Sequence, residues 1–300
     1  MDSREKALET GLSLFRGRGK NRRMEHQPAD AVAPAPSERA RARRAAVVTG
    51  AARGLGRAIA STLARDGFSL VLVDVSPLTD AVADGRAAGV DVLDIRADVS
   101  SQSDVRRVAS ETIERFGRVD VLVNNAGLSL MRPAEATSIE EWQRVLGVNL
   151  TGPFLLCSEL GRLMLAAGSG SIVNVASIAG LRGISHRVAY NASKHGLIGL
   201  TYTLAAEWGG RGVRVNAVCP SWIKTEMDVE DQALGGYTDA DIVDQSPLAR
   251  FATPDDVAEA IAFLADPARS GFVNGVALPV DGGWAADASW VALRRATRGG

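Results

Sequence analysis

A short apolar segment followed by three closely spaced glycines limits what this chain can fold into. The segment covers residues 45–48, Gly50, Gly54 and Gly56 follow it, and a helical pattern of apolar residues continues to about residue 65. A buried strand, a glycine turn and a helix in this order are typical of the first βαβ unit of a dinucleotide-binding domain. Gly50 would permit a tight turn, Gly54 a close approach of the backbone to a pyrophosphate, and Gly56 close packing of the helix on the sheet.

Apolar strand-like segments alternate with helical ones along the rest of the chain, which predicts an α/β fold with a parallel sheet covered by helices on both faces. We predict further strands at 69–74, 90–95, 119–123, 171–175, 213–218 and 276–280, and helices at about 80–88, 103–116, 139–148, 154–167, 188–208 and 255–265. Thr253 and Pro254 are the predicted N-cap and first residue of the last helix. The stretch 220–250 has no clear period, so we expect it to be a lid over a binding site.

The N-terminal residues 1–44 differ from the rest in charge. They hold 11 Lys and Arg against 6 Asp and Glu, whereas the remainder has a net charge of −6. We predict a disordered tail at 1–44, a catalytic domain at 45–284 and a short tail at 285–300. The basic residues are not interleaved with aromatic ones, which argues against nucleic-acid binding.

Neither a secretory signal nor a continuous apolar run of membrane-spanning length is found, so no membrane association is expected. The two cysteines, Cys157 and Cys219, are expected to be buried thiols of a cytoplasmic protein rather than a disulfide. The histidines His26 and His195 lack the spacing of metal ligands, and we expect no metal site.

Tyr190 and Lys194 lie four residues apart at the start of the predicted helix 188–208, so they share a helix face. An ammonium group near a phenol lowers the pKa of the phenol, and a phenol tuned in this way can transfer a proton near neutral pH. Ser177 follows directly on the predicted strand 171–175, at the sheet edge where open parallel sheets carry their sites.

Four motifs occur in a fixed order: the glycine loop 49–56, Asn124-Asn125-Ala126-Gly127, Ser177, and Tyr190-Asn191-Ala192-Ser193-Lys194. Together they resemble the short-chain dehydrogenase/reductase family over about residues 45–284. The resemblance implies a single Rossmann-type, doubly wound parallel sheet of about seven strands. It also implies that Tyr190 is the catalytic acid/base and that Lys194 binds the nicotinamide ribose and lowers the pKa of Tyr190.

The same resemblance assigns further positions. Ser177 would orient the substrate oxygen, and Asn149 would hold a water in the proton relay to Lys194. The expected cofactor contacts are Gly50, Arg53, Gly54, Leu55, Gly56, Asp74, Asp98, Val99, Asn125, Ala126, Gly127, Tyr190, Lys194, Pro220, Ile223 and Thr225. One departure is Pro220-Ser221, where the family usually has Pro-Gly, and this puts the local loop path in question.

The cofactor is expected to be NAD rather than NADP. Asp74 ends the second predicted strand, where a carboxylate can accept hydrogen bonds from the adenine ribose and would repel a 2′-phosphate. Arg53 favours NADP, but it can turn to solvent.

The substrate pocket is expected to include Leu128, His186, Trp222 and Met227, with His186 more readily explained by a local hydrogen bond in its loop. These residues indicate a rather apolar or alicyclic substrate. The predicted function is hydride transfer between nicotinamide and a secondary alcohol/ketone pair. The alternatives are an NADPH-dependent 3-oxoacyl or polyketide-type keto reductase and a non-enzymatic cofactor-binding sensor or scaffold. We expect a homotetramer or homodimer formed through helices 154–167 and 188–208.

Overall fold

The computed structural model describes residues 43–289 and 292–294, and a seven-stranded sheet of order β3-β2-β1-β4-β5-β6-β7 runs through this part of the chain. All neighbouring strands are parallel. The strands are β1 (Ala45–Thr49), β2 (Ser69–Asp74), β3 (Val92–Arg96), β4 (Val121–Asn124), β5 (Gly170–Val175), β6 (Val213–Pro220) and β7 (Ala277–Val280). The predicted doubly wound α/β fold is confirmed.

Helices connect the strands and cover both faces of the sheet. They are α1 (Gly54–Arg65), α2 (Thr79–Ala87), α3 (Gln102–Phe116), α4 (Ile139–Leu146), α5 (Gly152–Ala167), α6 (Val188–Trp208), α7 (Glu226–Gly235), α8 (Asp239–Gln245), α9 (Pro254–Ala265) and α10 (Pro267–Ser270). A π-helical turn, Gly147–Thr151, joins α4 to α5.

The order of the strands places the site. The chain runs outward from β1 through β2 to β3, then returns to the other side of β1 to form β4. Val47 of β1 therefore pairs with Val71 of β2 on one side and with Leu122 of β4 on the other. In doubly wound sheets a ligand crevice opens beyond the carboxyl ends of the strands at such a reversal.

The hydrophobic core lies on both faces of the sheet, as expected for strands with continuous apolar sequences. All five residues of β1 are buried. On one face, Val48 and Leu72 pack in a cluster with residues of α1 and α9, and on the other Val47 packs with residues of α3 and α5. The sheet and its flanking helices thereby form a firm base for the loops at the carboxyl edge.

The stretch 220–250, predicted as a lid without regular structure, contains the helices α7 and α8. A capping box begins α8, because the Thr238 hydroxyl accepts from the Asp241 N–H and the Asp241 carboxylate accepts from the Thr238 N–H. The N-terminal tail predicted at 1–44 lies outside the described residues up to residue 42. Residues 290–291 and 295–300 of the predicted C-terminal tail also lie outside them.

By length and composition alone, Ile139–Ala167 is apolar enough to cross a membrane. The stretch contains no continuous apolar run of membrane-spanning length, so no span was expected there. Here it comprises α4, the π-turn and α5, and its first turn carries Glu140 and Glu141. Leu156 and Leu160 of α5 are buried against the sheet, so in this fold the stretch forms part of the helical layer that covers one face of the sheet.

Candidate active site

The glycine loop after β1 has the geometry that its spacing predicts. Gly50 and Gly54 have positive φ values of 65° and 53°. A Cβ atom on Gly56 would lie 1.9 Å from the Gly50 carbonyl oxygen, so no larger residue fits there. Helix α1 begins at Gly54, and the side chain of its N-cap residue, Arg53, makes no capping hydrogen bond. Its first N–H groups can therefore bind an anion such as a phosphate.

The loop after β4 holds the glycine loop in place. The Asn125 side chain donates to the carbonyl oxygens of Thr49 and Gly50, at 2.9 and 3.1 Å. The Thr49 hydroxyl in turn accepts from the backbone N–H groups of Asn125 and Ala126, both at 3.0 Å. Asn125 therefore acts here as a brace for the loop that faces the expected pyrophosphate.

The carboxylate of Asp74 is fixed at the end of β2. One oxygen accepts from the Ala52 N–H at 3.0 Å and the other from the Ser76 N–H at 2.9 Å. Arg53 is exposed nearby. At the end of the adjacent strand, Asp98 accepts from the backbone N–H and the hydroxyl of Ser100.

These elements surround a single cavity of about 570 Å³. Its lining includes most of the predicted cofactor and catalytic residues: Gly50, Arg53, Gly54, Leu55, Gly56, Asp74, Asp98, Val99, Asn125, Ala126, Gly127, Ser177, Tyr190, Lys194, Pro220, Ile223 and Thr225. A helix N-terminus without a side-chain cap, a glycine turn that no Cβ could enter and a fixed carboxylate at β2 fit a dinucleotide.

Tyr190, Lys194 and Ser177 meet at one end of this cavity. Tyr190 and Lys194 lie in the first two turns of α6, and the Lys194 ammonium is 5.6 Å from the centre of the Tyr190 ring. Lys194 is buried and donates to the Val175 carbonyl oxygen at 2.7 Å. Ser177 follows β5, and its hydroxyl accepts from the Ala179 N–H at 3.1 Å.

The electrostatics of Tyr190 differ from the expectation that Lys194 lowers its pKa. Burial raises the pKa of Tyr190; the hydrogen bond with Ser177 and the charge of Arg187 act to lower it, and the charge of Asp231 acts to raise it. Burial separately lowers the pKa of Lys194, to about 8. The groups that favour the phenolate here are therefore Ser177 and Arg187, and Asp231 opposes them.

Asn149 lies in the π-turn before α5 and is fully buried. Its side-chain oxygen accepts from the Leu128 N–H at 2.8 Å, and its amide nitrogen donates to the Leu128 carbonyl and the Ser193 hydroxyl. A Cβ atom on Gly127 would lie 3.5 Å from the Asn149 side-chain oxygen and 3.8 Å from the Lys194 nitrogen. The absence of a side chain at Gly127 thus leaves a small space between these two polar groups.

The backbone of the loop after β6 is unstrained at Ser221, the position where the sequence departs from the Pro-Gly pattern of the family. Ser221, which stands where relatives usually have glycine, is not among the residues with positive φ. Its N–H donates to the Val280 carbonyl at 3.4 Å. Trp222 follows and packs against Trp284 with ring centres 5.4 Å apart. The serine therefore introduces no left-handed strain at this position.

The expected substrate residues differ in where they lie. Leu128 and Trp222 line the cavity. His186 is not among the lining residues; its φ is 61°, and its backbone carbonyl accepts from the N–H of Arg132, 54 residues earlier in the chain, at 2.7 Å. This backbone bond joins two loops and does not involve the imidazole. Met227 is the second residue of α7, and its side chain is outside what the structure describes.

Sequence reasoning missed three charged residues at the same end of the cavity: Arg187, Asp228 and Asp231. All three are buried. The sequence offers one indication for Arg187: it precedes Tyr190 by three residues, a spacing that can place two side chains on the same face of a helix. The two aspartates lie on α7, in the stretch where no period was visible.

No group of three or more potential metal ligands occurs in the described ranges. Cys157 and Cys219 are free and buried, and burial raises their pKa values to about 12 and about 11, respectively. Both therefore remain protonated thiols near neutral pH.

A Rossmann-type sheet whose cavity joins a dinucleotide cradle to a Tyr–Lys–Ser cluster defines a nicotinamide-dependent oxidoreductase. Comparison with known proteins agrees. The sequence profile described as enoyl-(acyl carrier protein) reductase matches residues 50–285. D-threitol dehydrogenase of Mycolicibacterium smegmatis is 42% identical over 80% of this chain and 92% of the relative. The 3-oxoacyl-[acyl-carrier-protein] reductase of a Synechocystis species is 39% identical over 79% of this chain and 95% of the relative.

Among solved structures, an NADP-bound protein from Beutenbergia cavernae, described as a gluconate 5-dehydrogenase, is 41% identical. The match covers 81% of this chain and 97% of that one, with a TM-score of 0.76. The chain belongs to the short-chain dehydrogenase/reductase family. It is an NAD(P)-dependent oxidoreductase that acts on a small-molecule alcohol or ketone, which confirms the predicted reaction class.

Proposed function

We propose that Tyr190, Ser177, Lys194 and Asn149 catalyse the reversible oxidation of a secondary alcohol to a ketone. The observation that carries the proposal is the meeting of the Tyr190 and Ser177 side chains, beside the buried Lys194, at one end of the cavity. A nicotinamide dinucleotide, when bound, supplies the acceptor or donor of the hydride. The other residues handle the substrate oxygen and the proton.

In oxidation, the Tyr190 phenolate accepts the hydroxyl proton of the substrate while Ser177 holds the same oxygen by a hydrogen bond. Lys194, with a pKa of about 8, can exchange a proton near neutral pH. The space between Lys194 and Asn149 would hold the water that carries the proton to solvent. In reduction, Tyr190 returns the proton to the developing alkoxide.

Tyr190→Phe tests the assignment. The ring keeps its packing while the transferable proton is lost, so kcat/KM should fall by about 10²- to 10⁴-fold. Binding of NADH, followed by its fluorescence, should persist. Tyr202→Phe is the matched control, because Tyr202 lies half-exposed on the same helix, outside the cavity. A Tyr190→Phe enzyme with most of the wild-type rate would contradict the proposed role.

NAD is proposed as the preferred cofactor. The Asp74 carboxylate is held by two backbone N–H groups, so it cannot swing away from a 2′-phosphate. Like charges about 4 Å apart cost on the order of 4 kcal/mol at an effective dielectric constant of 20. Arg53 is exposed and can turn to solvent.

Measuring kcat/KM with both cofactors tests this preference. Asp74→Ala should shift the preference toward NADP, whereas Asp80→Ala, at an exposed position of α2 outside the cavity, should leave it unchanged. A wild-type enzyme that prefers NADP would be incompatible with the proposal.

A keto reductase acting on 3-oxoacyl thioesters with NADPH is the second candidate. It is supported by exposed Arg144, which lines the cavity and could contact a carrier phosphate, and by exposed Arg53. Turnover of a 3-oxoacyl thioester at a rate above that of simple ketones would favour this candidate.

The proposed cellular setting is the cytoplasm. Two buried, unpaired thiols suit a reducing compartment. Fractionation of cells that produce the protein should recover it in the soluble fraction, and recovery with membranes would contradict the proposal.

A further inference from the structure

A buried ion pair stands at the substrate end of the cavity. Arg187 and Asp231 are each 7% exposed, and an Arg187 guanidinium nitrogen lies 2.8 Å from the Asp231 carboxylate. Ser129 joins them: its hydroxyl accepts from Arg187 at 2.7 Å and donates to the same carboxylate oxygen, Oδ2, at 2.9 Å. The trio links the loop after β4, the N-terminus of α6 and the lid helix α7.

The pair retains hydrogen-bonding capacity that these contacts do not use. In the described part of the chain, Asp231 Oδ2 accepts two hydrogen bonds, whereas Oδ1 accepts none. Arg187 uses two of its five N–H groups, through Nη1 and Nη2. Both side chains line the cavity. A hydroxyl of a ligand in the cavity can accept from the guanidinium and donate to the carboxylate at once.

The position and charge of the pair restrict what can bind there. The guanidinium carbon of Arg187 is 5.7 Å from the centre of the Tyr190 ring, so the ion pair lies next to the proposed catalytic tyrosine. The charge of Arg187 is already balanced by Asp231. Asp228, also buried and lining the cavity, is paired with Lys224 at 3.6 Å. Among the described residues, the pair therefore offers no unpaired positive charge to a carboxylate or phosphate of the substrate, whereas a neutral hydroxyl needs none.

We propose that Arg187 and Asp231 bind a second hydroxyl group of the substrate, so that the enzyme prefers diols and polyols to alcohols with a single hydroxyl. This inference rests on the proposed function and identifies the substrate class of the same site. It also changes the expectation of a rather apolar pocket. Leu128 and Trp222 would pack against the carbon skeleton of the substrate, while the ion pair would form hydrogen bonds with its second hydroxyl group.

The test compares substrates that differ by one hydroxyl: 1,2-cyclohexanediol with cyclohexanol, and 2,3-butanediol with 2-butanol, each with NAD and with NADP. A site that hydrogen-bonds a hydroxyl discriminates strongly against the analogue lacking it, so the wild-type kcat/KM should favour each diol by about 100-fold or more. Asp231→Asn keeps the shape of the side chain but removes its charge. The diol-to-alcohol ratio should then fall about tenfold or more.

Asp287→Asn is the matched control. Asp287 also forms an ion pair with a buried arginine, Arg294, at 2.6 Å, but neither residue lines the cavity. Its substrate ratio should equal that of the wild type. Equal kcat/KM for diol and alcohol in the wild type would overturn the inference without recourse to a variant, as would an unchanged ratio in Asp231→Asn, while leaving the proposed function intact. Turnover of neither pair by a protein that binds NADH would contradict the proposed function itself.

Discussion

Lys194 shows how one residue combines a functional position with a cost in stability. Its side chain is buried, with a backbone carbonyl as its hydrogen-bond partner. Burial lowers its pKa from 10.5 to about 8. The protein therefore gives up some stability near neutral pH to keep an exchangeable proton beside Tyr190, a common pattern at functional sites.

The pH dependence of unfolding should reveal this cost. Between pH 8 and 10.5 the unfolded chain holds the Lys194 proton while the folded chain has lost it. The free energy of unfolding therefore increases as the pH rises across this window. Relative to Lys194→Met, wild-type stability should increase by about 2 kcal/mol from pH 7.5 to 9.5, since each pKa unit is worth about 1.4 kcal/mol.

Urea unfolding of both proteins at the two pH values measures this difference. Groups that do not interact with Lys194, such as Cys157, contribute equally to the two proteins and cancel. Cys219 does interact with Lys194, but its pKa of about 11 lies above the measured window. Parallel pH profiles of the wild type and the variant would show that Lys194 keeps an ordinary pKa in the folded protein.

At the scale of elements, the start of α9 has the most complete cap. The Thr253 hydroxyl accepts from the Asp256 N–H, the Asp256 carboxylate accepts from the Thr253 N–H, and Pro254 occupies the first turn. Arg250 pairs with the same carboxylate at 2.6 Å and, with these hydrogen bonds, holds the pKa of Asp256 well below its usual range. The cap fixes the entry of a helix that packs on α1 and the sheet.

Thr253→Ala should lower the free energy of unfolding by about 1 kcal/mol, because the first turn of α9 loses a hydrogen bond to its N-cap. Ser110→Ala is the control: Ser110 lies on the exposed face of α3 and its hydroxyl donates to the Arg107 carbonyl of the same helix, so we expect a change within about 0.5 kcal/mol. Urea denaturation measures both. Equal effects of the two substitutions would mean that the cap adds nothing specific.

Helix α6 and the start of α9 were predictable from the sequence, whereas helix α7 was not. The bounds of α6 agree with the predicted 188–208, and the Thr253 cap before Pro254 was read from sequence. Helix α7 was not predicted because two of its acidic residues, Asp228 and Asp231, face inward and are buried. Buried carboxylates reverse the hydropathy pattern on which the prediction of an amphipathic helix depends.

In the candidate site, the cofactor side could be predicted from the sequence and the substrate side could not. Its cofactor side follows local motifs, since each glycine or carboxylate lies at a strand end that the sequence already indicates. Its substrate side depends on tertiary contacts: Arg187 and Asp231 are 44 residues apart in sequence and meet only when α7 folds over the cavity. Such a pair has no sequence spacing that could reveal it.

For the whole molecule, two helices leave apolar surface uncovered. Phe154 on α5 is 52% exposed, and Tyr202 on α6 is 49% exposed, although the opposite sides of both helices are buried against the sheet. Covering such side chains removes apolar area from water and favours association. A second copy of the chain is the partner we expect on this surface.

We predict a homodimer or homotetramer formed through α5 and α6. Light scattering at micromolar concentration should give at least twice the mass of the 31.5 kDa chain. Phe154→Asp combined with Tyr202→Asp should shift the mass toward the monomer, because each carboxylate would be buried without a partner. Phe272→Asp is the control, since Phe272 is fully exposed but lies on neither helix, and this variant should remain at least dimeric. A monomeric wild type would exclude the predicted interface, and a double variant of unchanged mass would place the association on another surface.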